Sequence, residues 1–297
     1  MFQINLEKMK KVLAIVLLFV IMVGFKNDKP AYRFFTAEGK NVKYSKLLKD
    51  VSEADVIFFG ELHNNPICHW LQYEITKDLY AQQNGEIILG AEMFEADNQM
   101  IMDEYLTGMI SSKSYKKEAR LWPNYSTDYA PLVEFAKDSN LVFVATNIPR
   151  RYASVVYKKG FEGLDELSSE AKLYIAPLPV EYDAEVACYK SMLEGMEGMG
   201  AHVTKTLPMA QAIKDATMAN NIATYMDESG KLFIHYNGTY HSDNFEGILW
   251  YLNKYKPGLN IVTIASVEQN DIKDLEEEYL NRANFILVVP EDMTKTY

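Results

Sequence analysis

Six short runs rich in β-branched and aromatic residues, each continuous rather than alternating, limit what this chain can fold into. They are DVIFFG (55–60), EIILGAE (86–92), LVFVATN (141–147), KLFIHYNG (231–238), NIVTIASV (260–267) and NFILVVP (284–290). An unbroken apolar run of this length reads as a strand covered on both faces, as in parallel sheets flanked by helices. Helical stretches at 66–83, 97–110 and 128–139 separate the early runs. The predicted fold class is therefore α/β, with a mainly parallel central sheet flanked by helices. With 297 residues, 48% of them hydrophobic, the chain can bury a large core.

The stretch 161–228 breaks the rhythm. It has no strong strand and holds six of the fourteen methionines: Met192, Met196, Met199, Met209, Met218 and Met226. It reads as a smaller inserted helical subdomain, with EGMEGMG (194–200) as a glycine-punctuated turn. The α/β domain then spans 55–160 and 229–297, after a lead-in at 26–54. No internal repeat or low-complexity tract is present.

Residues 1–25, MFQINLEKMKKVLAIVLLFVIMVGF, place a basic patch before an apolar run from Val12 to Phe25. The run is shorter than the roughly 20 residues of a spanning helix and suits the apolar region of an export signal. No small-x-small cleavage site follows Val23 and no lipoprotein cysteine stands there, so an uncleaved membrane anchor is the alternative. Both readings place the body outside the cytoplasm, periplasmic or associated with the cell envelope. The net charge of -11, with no basic cluster, argues against nucleic acid as a partner. Two cysteines, Cys68 and Cys188, are too few for a disulfide scaffold and read as unpaired, partly buried thiols.

In an open parallel sheet the ligand crevice lies beyond the carboxyl ends of the strands. Here those ends carry chemistry. After the first run come Gly60, Glu61, Leu62, His63 and Asn64; the second ends on Glu92; the third leads to Asn147, Pro149 and Arg150; the fourth to Gly238, Thr239, Tyr240 and His241. Residues two apart on an extended chain project to one side, so Glu61 and His63 can face one point. His63, Glu92 and His241 are a plausible set for a divalent metal such as Zn or Mn. Twice a glycine precedes the histidine by three residues, where the backbone can turn tightly or approach a bound group.

Plainer roles compete. Asn65 and Pro66 read as the cap and first residue of a helix. His69 and His202 read as surface residues, and His235 as a core histidine with a partner. Glu95, Asp97 and Asn98 start a helix, with Asp97 as its cap. Arg150 opens another helix, where a cation near the rim can bind a carboxylate. On LPMAQAIKDATMANNIATYM, Gln211, Asp215 and Met218 share one face; the alanines face the core and this stripe is either solvated or part of the site.

Taken together, GELHNNP, GAEMFEADNQ, Trp122, YAPLVEFA, NIPRRYA, QAIKDATMA and NGTYH resemble the ChaN-like haem-binding uptake family of the Tiki superfamily, over most of 55–245. The resemblance implies a parallel α/β domain with a smaller helical domain, export, and haem binding for iron uptake. By position it points to Glu61, His63, Glu92, Arg150, Gln211, Asp215 and His241. Asn64 departs from a usual aspartate and Lys214 from a usual arginine, and SDN follows His241 where an arginine is usual. Haem iron in this family can be held by tyrosine, with Tyr240 and Tyr236 the nearest candidates.

Two functions share this site. One is an exported haem- or iron-binding protein, with His63, Arg150, Gln211, Asp215, Met218, Tyr240 and His241 around a cofactor bedded on Phe94, Trp122 and the methionines. The other is a metal-assisted hydrolase of peptidase or esterase type, as in related branches of the superfamily, with Glu61, His63, Glu92 and His241 catalytic. A surface binding module without chemistry is the third reading. The expected partner is haem or a small molecule, with membrane anchoring through the leader and a homodimer as further expectations.

Overall fold

The computed structural model describes residues 29–194 and 205–297. The expected leader at 1–25, His202, Met196, Met199 and the turn 194–200 beyond its first residue lie outside the described residues. In chain order the strands are β1 (Arg33–Thr36), β2 (Asn41–Val42), β3 (Val56–Glu61), β4 (Ile87–Glu95), β5 (Phe143–Asn147), β6 (Leu232–Gly238), β7 (Ile261–Gln269) and β8 (Phe285–Pro290). The α-helices are α1 (Tyr44–Val51), α2 (Pro66–Gln82), α3 (Gln99–Leu106), α4 (Ser112–Glu118), α5 (Ala130–Asp138), α6 (Arg150–Lys159), α7 (Ser169–Lys172), α8 (Ala187–Glu194), α9 (Leu207–Ser229) and α10 (Ile248–Tyr255).

All six runs are strands of one eight-stranded sheet, ordered β2-β1-β8-β7-β3-β6-β4-β5. The six pair in parallel, as their continuous apolar character requires: β3, β5 and β6 are buried along their whole length. The antiparallel edge formed by β1 and β2 was not expected from the lead-in, because four and two residues are too few to show a period.

Alternate residues feed two cores. Ile57, Phe59, Leu89, Ala91, Ile234 and Tyr236 pack with α2 and α5. Val56, Phe58, Ile88, Val144 and Phe233 pack with α6, α9 and α10 on the other face. The stretch 161–228 contains α7, α8 and α9 and no strand among its described residues. Helix α9 lies directly on β5, α6 and α10. Its alanines Ala212, Ala216 and Ala219 are fully buried, letting the helix approach the sheet closely. Met218 is also fully buried there, and this corrects its expected place beside a cofactor: the seam filled by small alanines takes one long, adaptable side chain as core. Among the described residues no helix is long and apolar enough to cross a membrane.

Candidate functional site

Strands β3, β6 and β4 lie side by side, and their carboxyl ends are in register. Glu61 pairs with Gly238 across β3 and β6, and Ala91 with Tyr236 across β4 and β6. Between Ala91 and Glu95 the pairing of β4 with β5 shifts. Such an irregularity re-aims side chains next to it, and here Glu92 crosses to β6, where its Oε2 accepts the Gly238 amide at 2.7 Å. After β6 the chain turns into a short 3-10 segment, Thr239–His241, which folds His241 back over the same point.

His63, Glu92 and His241, distant in sequence, therefore meet. His241 is wedged between two carboxylates, its Nε2 3.2 Å from Glu92 Oε1 and its Nδ1 donating to Asp215 Oδ1 at 2.5 Å. Burial alone would suppress its charge, but Glu92 and Asp215 outweigh burial and push the imidazole up to about 10. Burial likewise opposes ionisation of Glu92, yet the His241 and His63 charges and the Gly238 amide hold it well below the usual carboxylate range. Asp215 is fully buried and also accepts from Tyr189 at 2.7 Å. The stripe Gln211, Asp215, Met218 is thus not a solvated face: Gln211 reaches the cavity, Asp215 orients His241, and Met218 is core.

His63 is the reachable member, with a side chain 33% exposed. Its Nδ1 donates to Glu61 Oε1 at 2.9 Å. A Cβ built on Gly238 would stand 2.7 Å from His63 Nε2, so the ring lies against bare backbone that only glycine supplies. Burial would lower the His63 pKa, but the Glu61 hydrogen bond and the Glu92 and Glu61 charges raise it overall.

Behind Glu61 lies a network the sequence reading missed. Glu61, 1% exposed, accepts from Tyr129 at 2.8 Å and from Gln72 at 2.6 Å as well as from His63. Burial is outweighed by the His63 bond and the charges of His69 and His63, so its pKa is lowered. His69 is not a surface residue. It is 6% exposed, with Nε2 3.5 Å from Asp128 and Nδ1 3.7 Å from Glu61, because the N-terminal turn of α2 presses it under the β3 tip. Asp128 in turn accepts from Asn124 at 2.7 Å and from Thr296 at 2.9 Å, and the Thr296 amide donates to the Asn64 carbonyl at 2.9 Å. The available signal was on α2, where His69, Gln72 and Thr76 recur at helical spacing on what is its buried face.

These groups open into a cavity of about 1100 Å³, larger than the roughly 300–1000 Å³ of most small-molecule pockets. Trp122, Leu62, Leu121, Ile148, Met192 and Tyr240 give it apolar wall, and Arg150, Gln211, Lys214 and Tyr297 also face it. Trp122 meets the His63 ring edge-on at 4.9 Å. Asn147 and Gln211, both on the wall, each keep a buried side-chain oxygen without a hydrogen-bond partner. Several expected residues are elsewhere. Phe94 is core, packed on Tyr125 and Phe143, and Tyr236 is buried in hydrogen-bond contact with Thr76 at 2.5 Å, so neither touches a cavity ligand. Asp97 caps no helix. It sits in a 3-10 turn, and its carboxylate takes Arg120 and, at 2.6 Å, Arg151.

Asn65 does cap α2, accepting from Ile67 and Cys68, and His235 is a buried strand histidine bonded to Thr146 at 2.8 Å and Asn237 at 3.1 Å. Both thiols are unpaired. Among the described residues no group of three or more His, Cys, Asp or Glu side chains is arranged to hold a metal ion. In the expected set of His63, Glu92 and His241, His241 turns Nδ1 to Asp215 and Nε2 to Glu92.

A family described as haem-binding uptake, Tiki superfamily, ChaN matches residues 47–252. No curated protein matches the chain. Among solved structures, ChaN of Campylobacter jejuni with cofacial haem superposes with a TM-score of 0.64 at 15% identity, covering 87% of this chain and 96% of that one. At that identity the likeness shows the fold. A Bacillus cereus protein reaches 0.49 at 12% identity, covering 82% and 90%, and an erythromycin esterase 0.47 at 10%, covering 86% and 83%. These two weaker likenesses support no inference.

Proposed function

We propose that this chain, which belongs to the haem-binding uptake, ChaN family of the Tiki superfamily, binds haem in the cavity at its strand tips. The observation that carries the reading is the cavity itself: large, lined by the apolar side chains of Trp122, Leu62, Leu121, Ile148 and Met192, and left with two amide oxygens unsatisfied by the protein. A planar apolar macrocycle needs such a wall, and a buried polar group without a partner costs about 1–3 kcal/mol unless a ligand or water satisfies it. Trp122, Met192 and Tyr240 would hold the porphyrin face, and His63 is the imidazole with access to it. Bound haem would bring an iron centre to the cavity. Fixed behind by Glu61, His63 would orient the ligand.

Haemin titrated into purified protein should shift the Soret band and quench tryptophan fluorescence, and both effects should weaken in Trp122→Ala and His63→Ala. A spectrum equal to the sum of its components overturns the reading. The proposal extends to an exported, envelope-associated protein serving haem or iron uptake, on the strength of the basic and apolar N-terminal sequence. Recovery of the protein in the cytoplasmic fraction of its host would remove that extension.

A second reading rests on the Glu61–His63 pair. A carboxylate holding an imidazole whose Nε2 lies at the cavity is the arrangement of acid-base hydrolysis, and it needs no metal. A panel of esters and amides with Glu61→Gln as control tests it, and no turnover on any member ends it.

A further inference from the structure

The last residues of the chain return to the site. After β8 the segment 291–297 leaves the sheet and comes to the tip of β3, and it lies beyond the residues 47–252 that carry the family match. Terminal residues fray in most domains unless something ties them down. Here two consecutive residues do so. Lys295 pairs with Glu268, which also accepts from the α2 cap, Asn65 Nδ2, at 3.3 Å. Thr296 donates its amide to the Asn64 carbonyl at 2.9 Å and its hydroxyl to Asp128 at 2.9 Å.

These ties converge on the turn 62–65 that presents His63. Asp128 accepts from Asn124 at 2.7 Å, and the same Asn124 nitrogen donates to the His63 carbonyl at 3.1 Å. His69 Nε2 donates to that carbonyl as well, at 3.0 Å, and lies 3.5 Å from Asp128. The backbone of the reachable imidazole is therefore fixed through groups that the terminal segment completes. Tyr297 is the residue of this segment that meets the cavity, where it stands on the wall and is 68% exposed. Its phenol pKa is raised, first by partial burial and then by the charges of Asp128 and Glu61, so the hydroxyl stays protonated at neutral pH. A free chain end would carry its ring anywhere. This ring is held at the cavity by the residue before it and left with apolar surface uncovered, which is what a ligand contact requires.

We propose that residues 295–297 form a strap that belongs to the binding site: Tyr297 lays its ring against a bound ligand, and Thr296 positions both that ring and the His63 turn. The inference rests on the haem reading and extends it, since the macrocycle gains a contact from outside the family-matched part of the chain. Thr296 is a positioning residue, acting through Asn64 and Asp128.

The test loads the purified protein with haemin and follows its release to an excess of a high-affinity haem acceptor. Tyr297→Ala should release haemin about tenfold faster than wild type, the worth of one aromatic contact. Tyr297→Phe keeps the ring and should release it at the wild-type rate. Thr296→Val keeps the amide and removes the hydroxyl, and should speed release about threefold. In the protein without ligand, Thr296→Val should also move the NMR signal of the His63 imidazole, which a loosely draped tail would leave in place. Thr296 and Tyr297 are both exposed, and an unchanged melting temperature shows that folding is intact. Release at the wild-type rate from Tyr297→Ala, or an unmoved His63 signal in Thr296→Val, overturns the strap and leaves haem binding standing. Failure of the wild type to take up haemin overturns the haem reading and this inference with it.

Discussion

His241 shows how one side chain binds the site to the stability of the whole protein. Its imidazolium lies between Glu92 and Asp215, and its pKa is raised from 6.5 to about 10. A raised folded-state pKa contributes stability that is fully present below the unfolded value and is lost as pH rises through the folded one. Chemical denaturation should therefore show wild type weakening between about pH 6.5 and 10, with a flatter profile in His241→Gln over that window. His241→Ala, which leaves two buried carboxylates facing a void, should cost about 3–5 kcal/mol at neutral pH. The glycines make a graded pair. A Cβ on Gly60 would meet the Thr239 backbone at 2.8 Å, whereas on Gly238 it would meet a side-chain ring that can swing away. Gly60→Ala should lose about 1–3 kcal/mol in a denaturant melt, and Gly238→Ala should lose less stability but displace His63, read as a changed imidazole chemical shift. The rim residues were legible in sequence because each ends a run of unmistakable strand character. The support behind Glu61 was not, since His69, Gln72, Tyr129 and Asp128 are residue types that caps, turns and surfaces use equally, and Thr296 reaches Asp128 across 168 positions of chain.

At the level of elements, the junction of β3 with α2 does two jobs. Asn65 ends the tight turn and caps the helix through Ile67 and Cys68, and its Nδ2 donates to Glu268 at 3.3 Å. Asn65→Ala should lower stability by about 1 kcal/mol, seen as a lower denaturation midpoint with unchanged slope. Helix α9 reads differently in sequence and structure. Its alanines were legible as the core face, but the neighbouring polar stripe could equally have met water, and only the return of the chain after β6 decides that Asp215 meets His241. Because α9 approaches the sheet through alanines, Ala216→Leu should force the two apart and cost about 1–3 kcal/mol, measured by thermal melting. The short β1 and β2 escaped notice for a related reason: β2 has two residues, and a strand of that length exists only because β1 is there to pair with it.

Over the molecule as a whole, the continuous apolar runs specified a parallel sheet because a strand covered on both faces has no polar side to alternate with, and the two cores fill those faces as expected. Strand order is another matter. That β6 lies between β3 and β4, bringing Gly238 against Glu61 and Glu92, follows from long crossovers that leave no local trace. Protection should follow the same order: amide hydrogen exchange is expected to be slowest in β3 and β6 and fastest in β2 at the sheet margin. Equal protection at margin and centre would mean that opening is global. The closing residues of the chain run back across the first strand tip. Thr296 is fastened to Asn64 and Asp128, and Tyr297 stands on the cavity wall. A segment fused after Tyr297 would start at the cavity wall, so an affinity handle placed there should crowd an arriving ligand.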